Sequence, residues 1–120
     1  MLSDISVKRL REILSQSLNY TVEQQNSIVS FLSNYSHGQR IYPSALKREL
    51  HISMEDSYKI LETLSDEGFL EGWYEYRCGN CQNLVGLVRY INELPPTFEC
   101  ENCNSPMNTL ENTIKIYKVI

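Results

Sequence analysis

No apolar run in the sequence approaches the roughly eighteen residues that a bilayer-spanning helix needs, and neither terminus has a lipidation pattern. The opening Met1-Leu2-Ser3-Asp4 carries no apolar leader, so the expectation is a soluble, cytoplasmic chain in a reducing compartment. There is no Gly-x-Ser-x-Gly and no Gly-x-x-x-x-Gly-Lys phosphate loop. Histidine occurs only as His37 and His51, both in turn-like segments beside helix ends, where capping or solvation is the expected role. Without a nameable nucleophile, base and oxyanion donor, the expectation is that the chain is not an enzyme. An excess of positive charge is also missing. Eleven basic residues face fifteen acidic ones, a formal charge of −4, opposite to the footprint of a protein that grips phosphates non-specifically. Internal repeats beyond one short motif and low-complexity tracts are absent as well.

That motif organises what is there. All four cysteines fall into two knuckles, Cys78-Gly-Asn-Cys81 and Cys100-Glu-Asn-Cys103. A C-x2-C turn presents two thiolates together, and two such turns brought opposite complete a tetrahedron of sulfurs around a borderline-soft dication. The expected cofactor is therefore structural Zn2+ on Cys78, Cys81, Cys100 and Cys103, with two further negative charges added to the chain. Iron in a rubredoxin-like site uses the same ligands, so spacing alone leaves zinc and iron both open. Two disulfides would require an oxidising compartment. A redox dithiol favours a helix start, whereas residues 82–88 read as a turn running into a strand.

Helical spacing of Val7, Leu10, Ile13, Leu14 and Leu18 predicts a first amphipathic helix over residues 3–18. Its stripe packs within the fold or, as an alternative, against the same helix of a second copy. Thr21 and Gln24 form a capping-box pattern before a second helix whose buried face is expected to hold Val22, Ile28, Val29, Phe31, Leu32 and Tyr35. Pro43 suits the first turn of a short helix over 43–50, with Ala45, Leu46 and Leu50 inward. Ser53 then caps another, with Met54, Tyr58, Leu61 and Leu64 inward and Gly68 as its stop. Two short helices joined by a tight turn are a helix-turn-helix, and residues 69–77 continue as a strand. Strand composition returns at 84–91, 97–99 and 113–120, with 92–96 as a turn.

From Thr21 to Arg77 this order resembles the winged-helix superfamily: helix, short strand, helix, turn, recognition helix, wing. A winged helix followed by a four-cysteine ribbon is similar to a shortened archaeal transcription factor E, although here Cys78 follows the strand directly, without a linker helix. The resemblance implies an α+β fold, a winged helix-turn-helix with a zinc ribbon inserted at or following the β-wing. The expected organisation is an N-terminal amphipathic helix at 1–20, the winged helix-turn-helix at 21–77, the zinc ribbon at 78–111, and a C-terminal strand at 112–120 returning to the wing.

Two function classes follow. The candidate recognition helix at 53–67 points Glu55, Asp56, Lys59, Glu62, Thr63, Asp66 and Glu67 outward, a face that phosphate rows would repel. The nearby strands carry Trp73, Tyr74, Tyr76, Tyr90 and Tyr117, which fill a thin core or anchor an interface. The first reading is therefore a protein-binding adaptor in a nucleic-acid-handling or regulatory assembly, its partner-binding residues being Glu55, Asp56, Glu62, Asp66, Trp73, Tyr74 and Tyr76. The alternative is a duplex-DNA-binding transcriptional regulator that uses Arg40, Lys47, Arg48, Lys59, Arg77 and Arg89, with Lys8, Arg9, Arg11, Lys115 and Lys118 as further cations.

Overall fold

The computed structural model describes residues 4–120, with side chains from Val7 onward. The first residue of the expected helix over 3–18, and residues 1–3 of the expected 1–20 segment, lie outside that range. Helices α1 (Asp4–Gln16) and α2 (Val22–Ser33) come first, then strand β1 (Arg40–Ile41), helices α3 (Pro43–Leu50) and α4 (Met54–Asp66), and strands β2 (Leu70–Arg77), β3 (Leu84–Val88), β4 (Thr97–Glu99), β5 (Pro106–Asn108) and β6 (Thr113–Val119). The architecture is mixed α+β. Four strands form an antiparallel sheet in the order β1-β6-β2-β3, and β4 pairs with β5 in a separate two-stranded sheet.

The chain divides into two compact units. One combines the described residues up to Glu71 with Tyr117–Ile120, and the other is Gly72–Ile116, so β2 and β6 each run through both.

The first unit is built on local signals that agree with its packing. Thr21 caps α2 reciprocally: its hydroxyl accepts from the Gln24 amide at 3.3 Å, while its own amide donates to the Gln24 side chain at 2.9 Å. Pro43 opens α3 behind Tyr42, and His51 closes it in the left-handed region at φ 53°. Ser53 caps α4 by accepting from the Asp56 amide at 3.0 Å, and Gly68, at φ +86°, takes the chain out of the helix. All four helices and β1, β2 and β6 contribute to one apolar cluster that includes Leu10, Leu14, Ile28, Leu46, Leu61 and Tyr117.

Two expected inward residues face solvent instead. Val22 is 67% exposed and Met54 is 38% exposed. Each stands in the first turn of its helix, and the buried stripe starts three residues later on a polar side chain: Gln25, Ile28, Val29 and Leu32 in α2, and Ser57, Ile60, Leu61 and Leu64 in α4. Both polar groups are satisfied, since Gln25 Nε2 donates to the Tyr20 carbonyl at 2.9 Å and Ser57 Oγ to the Ser53 carbonyl at 2.9 Å. The small, bonded Ser57 lets α4 approach its neighbours without losing a hydrogen bond.

The second unit departs from expectation in three places. The strand expected over 84–91 ends at Val88, and a 3-10 turn occupies Ile91–Glu93, where the Glu93 carboxylate accepts from the Tyr90 amide at 2.7 Å. Pro106–Asn108 forms a strand the composition did not signal, because its hydrogen bonding is supplied by β4 across a hairpin. A second 3-10 turn at Leu110–Asn112 leads into β6.

Candidate metal centre

The two knuckles are built alike. In the first, the Cys78 amide donates to the Asn83 carbonyl at 2.9 Å and the Gln82 amide returns to the Cys78 carbonyl at 2.9 Å. In the second, the Cys100 amide donates to Ser105 at 3.1 Å and the Asn104 amide to Cys100 at 2.7 Å. The residue after the second cysteine of each turn, Gln82 or Asn104, is left-handed, at φ 63° and 58°. That reversal folds each Cys-x-x-Cys back on itself and turns both of its sulfurs the same way.

All four Sγ atoms lie within 4.8 Å of one another. Cys78 Sγ is 3.5 Å from Cys103 Sγ, and Cys81 Sγ is 3.6 Å from Cys100 Sγ. Sulfurs at the corners of a tetrahedron with metal–sulfur bonds of about 2.3 Å are about 3.8 Å apart, so the cluster has the size of a four-thiolate metal shell. No disulfide joins the four cysteines, and neither knuckle opens an α-helix.

The electrostatics push these thiols apart. Hydrogen bonds from the Ser105 side chain and amide hold Cys103 down at about 6, and the Asn102 side chain, followed by the Asn83 amide, lowers Cys81. For Cys100 the Cys103 amide acts downward, but desolvation and the neighbouring Cys81 and Cys103 thiols outweigh it and push the group up to about 11. Packed sulfurs cannot all ionise beside one another unless a cation supplies the compensating charge. Four soft donors at this spacing could hold a metal ion such as zinc.

Residues around the sulfurs brace them reciprocally. Asn80 of the first knuckle places Nδ2 3.7 Å from Cys103 Sγ and 3.3 Å from Ser105 Oγ in the second. Asn102 of the second hydrogen-bonds Cys81 of the first. Each knuckle thus sends its asparagine to the other's second cysteine, and N–H donors to sulfur favour the thiolate. The repeated Cys-x-Asn-Cys pattern carried this signal, though spacing logic weighs only the cysteines. Gly79 belongs to the same device, since a Cβ there would stand 2.5 Å from Asn112 Oδ1.

Arg77 has a place in this site rather than on an open surface. Its Nε donates to Glu75 Oε1 at 2.8 Å and Nη1 reaches the Gln82 carbonyl at 3.3 Å. Glu75 is fully buried, so the arginine compensates a desolvated carboxylate while tying β2 to the left-handed residue of the first knuckle.

The apolar cluster lies wholly in the first unit; in Gly72–Ile116 the buried apolar side chains among the described residues are Cys78, Cys100 and Ile116. Tyr76 contributes a partial cover. Its ring packs 5.4 Å from that of Phe98 and lies over Gly86, where any Cβ would meet it at 2.4 Å.

Of the remaining expected site residues, Glu55, Asp66 and Glu67 are exposed on α4, Asp56 is half-buried, and Glu62 is engaged. The Glu62 carboxylate accepts a hydrogen bond from the hydroxyl of the buried Tyr117, so it anchors the core of its own unit. Trp73, Tyr74 and Tyr76 are half-buried, with Lys115 Nζ 5.8 Å from the Tyr74 ring. Of the expected phosphate-binding cations, Lys59 pairs with Glu55 at 3.5 Å, Arg48 with Glu49 at 3.5 Å, and Arg89 donates to the Gly72 carbonyl at 2.6 Å while lying 5.0 Å from the Tyr90 ring. Arg9 bridges to Glu67 at 2.8 Å and Arg11 donates to Asn26 at 2.7 Å. Lys47 is exposed on α3, and Arg40 stands opposite Lys118 across β1 and β6. The α1 stripe of Leu10, Ile13 and Leu14 is buried in the first unit's own cluster. Among the described residues no helix is long and apolar enough to cross a membrane. No protein-family model matches the chain, and no curated protein and no solved structure matches it either.

Proposed function

We propose that the chain is a non-catalytic, zinc-stabilised winged-helix module that acts as a protein-binding adaptor in a nucleic-acid-handling or regulatory assembly. The run of α2, β1, α3, α4 and β2 follows the winged-helix order, and the segment carrying both knuckles lies between β2 and β6 in the manner of a ribbon inserted at the wing. Four thiolates close a tetrahedral shell and leave no position for a metal-bound water, which makes the zinc a staple rather than a reagent. The observation that carries the adaptor reading is the acidic face of α4, where exposed Glu55, Asp66 and Glu67 outnumber Lys59, the helix's sole cation, which pairs with Glu55 as Arg9 does with Glu67, while Arg77 and Arg89 are engaged by Glu75 and the Gly72 carbonyl. An acidic helix face complements a basic protein surface and repels phosphate.

The test is binding of random-sequence duplex across a salt series, beside partner capture. The adaptor reading expects no duplex binding even at low salt, and loss of partner capture when Glu55 and Asp66 are both reversed to lysine. Steeply salt-dependent duplex binding with unchanged capture overturns it. The DNA-binding alternative has one observation in its favour, the juxtaposition of Arg40 and Lys118 across β1 and β6. That alternative requires Arg40→Ala with Lys118→Ala to flatten the salt dependence.

A further inference from the structure

A cavity of about 210 Å³ opens between the α1–α2 connection, α2, the α3–α4 turn and α4, wholly within the first unit. Its lining changes character with depth. Ile28 and Ile60, 3% and 0% exposed, form the floor and belong to the apolar cluster. Tyr20, Leu50 and Ile52 are half-buried walls, and Gln24, Ser27 and His51 are polar and exposed at the mouth. A dry cavity of roughly 150 Å³ with aliphatic walls holds benzene, so this one admits a single or fused ring with a short substituent. The α3–α4 turn is shaped for it. His51 closes α3 at φ 53°, where glycine is the usual residue, and the left-handed step lets the consecutive Leu50, His51 and Ile52 line one cavity. A histidine is more strained there than glycine and adds a ring to the cavity wall.

The polar groups select what could enter. Gln24 Oε1 accepts from the Thr21 amide at 2.9 Å, and Ser27 Oγ donates to the Glu23 carbonyl at 3.3 Å. Those bonds use the Gln24 acceptor and the Ser27 donor, so a ligand meets a carboxamide NH2 and a hydroxyl lone pair, a combination that suits a hydroxyl group. Burial, and after it the Asp56 carboxylate, pushes the Tyr20 phenol up, so that wall presents an O–H. None of the eight lining residues is Lys, Arg, Asp or Glu. A charged group carried into the cavity would lose water without gaining a counter-ion, and an anion would also be repelled by Asp56 beside Tyr20.

We propose that this cavity is a binding site for a small, uncharged, amphipathic molecule: a single or fused ring seated on Ile28 and Ile60, with a hydroxyl or similar group held at the mouth by Gln24, Ser27 and His51. The site goes beyond the adaptor reading and does not depend on it. Burial of the ring supplies affinity, and the few polar groups at the mouth fix its orientation.

The experiment titrates the full metal-loaded chain, labelled at its isoleucine δ1 methyls, with tryptophol, an indole carrying a hydroxyethyl arm, and with indole-3-acetate as the charged counterpart. Tryptophol is expected to move the methyls of Ile28, Ile52 and Ile60 saturably and to leave Ile13 and Ile41, which share the apolar cluster but do not line the cavity, in place. Indole-3-acetate should bind roughly tenfold more weakly, the scale of about 1.4 kcal/mol for a carboxylate without a counter-ion. Ser27→Phe fills the mouth from an exposed position and should abolish the saturable shifts. His51→Gly relaxes the left-handed residue, so it should weaken binding without lowering the melting temperature. Shifts that do not saturate, shifts centred on Ile91 or Ile114 of the other unit, or equal binding of the acid overturn the proposal. So does a failure of tryptophol to bind, or an affinity unchanged in both variants while their Ile13 and Ile41 methyls report an intact fold.

Discussion

Single side chains separate what braces the sulfurs from what merely surrounds them. Asn80 and Asn102 each donate to a cysteine of the opposite knuckle, so Asn80→Ala and Asn102→Ala are each expected to weaken metal affinity roughly tenfold, the usual scale for losing an outer hydrogen bond to a ligand. Competition against a chromophoric chelator measures this, and unchanged affinity in both variants would show the asparagines to be bystanders. In the other unit, Glu62→Ala leaves the buried Tyr117 hydroxyl without its carboxylate and should cost about 1–3 kcal/mol in a denaturant melt, with Tyr117→Phe largely relieving the penalty in the double variant. Equal losses that simply add would show the pair to be uncoupled. The cysteines were legible from spacing alone, and so were the Thr21, Ser53 and Gly68 signals, because each depends on chemistry within a few residues of chain. Glu62 was misread as an outward acid. Its partner lies fifty-five residues away, and no local pattern announces a carboxylate recruited by a distant tyrosine.

At the scale of elements, α2 and α4 teach the same lesson. Their periodicity was readable, but the stripe starts on Gln25 and Ser57 rather than on Val22 and Met54. A sequence reading that equates burial with apolarity assigns the first turn wrongly whenever a bonded polar residue opens the buried face. β5 escaped for a related reason: Pro-Met-Asn has little strand propensity and is extended because β4 pairs with it. β2 carries the sharpest element-level prediction. Arg77→Ala removes the arginine's ion pair with the fully buried Glu75 carboxylate and its bond to the Gln82 carbonyl, so it should destabilise the knuckle-bearing unit and weaken its metal binding, whereas Glu75→Gln combined with Arg77→Ala should recover part of the loss. Thermal melts of the metal-loaded forms decide this. An Arg77→Ala protein as stable as its parent would place the arginine outside the site.

For the whole molecule, the unequal distribution of core determines what the metal does. The first unit keeps the apolar cluster and needs no staple, while Gly72–Ile116 buries two cysteines and Ile116 and little else that is apolar. A segment with so small a core holds its fold through ligand bonds. Chelation at neutral pH, or Cys78→Ser, should therefore collapse amide dispersion in Gly72–Ile116 while the helical signal of the first unit persists. Survival of both would separate the cysteines from folding. Acid should act in the same direction. Ligation requires thiolates, and the metal-free Cys100 thiol, at about 11, is protonated at neutral pH, so metal uptake releases protons and affinity falls as pH falls.

X-ray absorption at the metal edge of the purified, metal-loaded chain tests the four-thiolate shell itself. The arrangement of Cys78, Cys81, Cys100 and Cys103 predicts one zinc per chain with four sulfur neighbours at about 2.3 Å and no nitrogen or oxygen in the shell. Fewer than four sulfurs, or a shell completed by oxygen, would contradict a closed structural site and with it the account of how the knuckle-bearing unit is held.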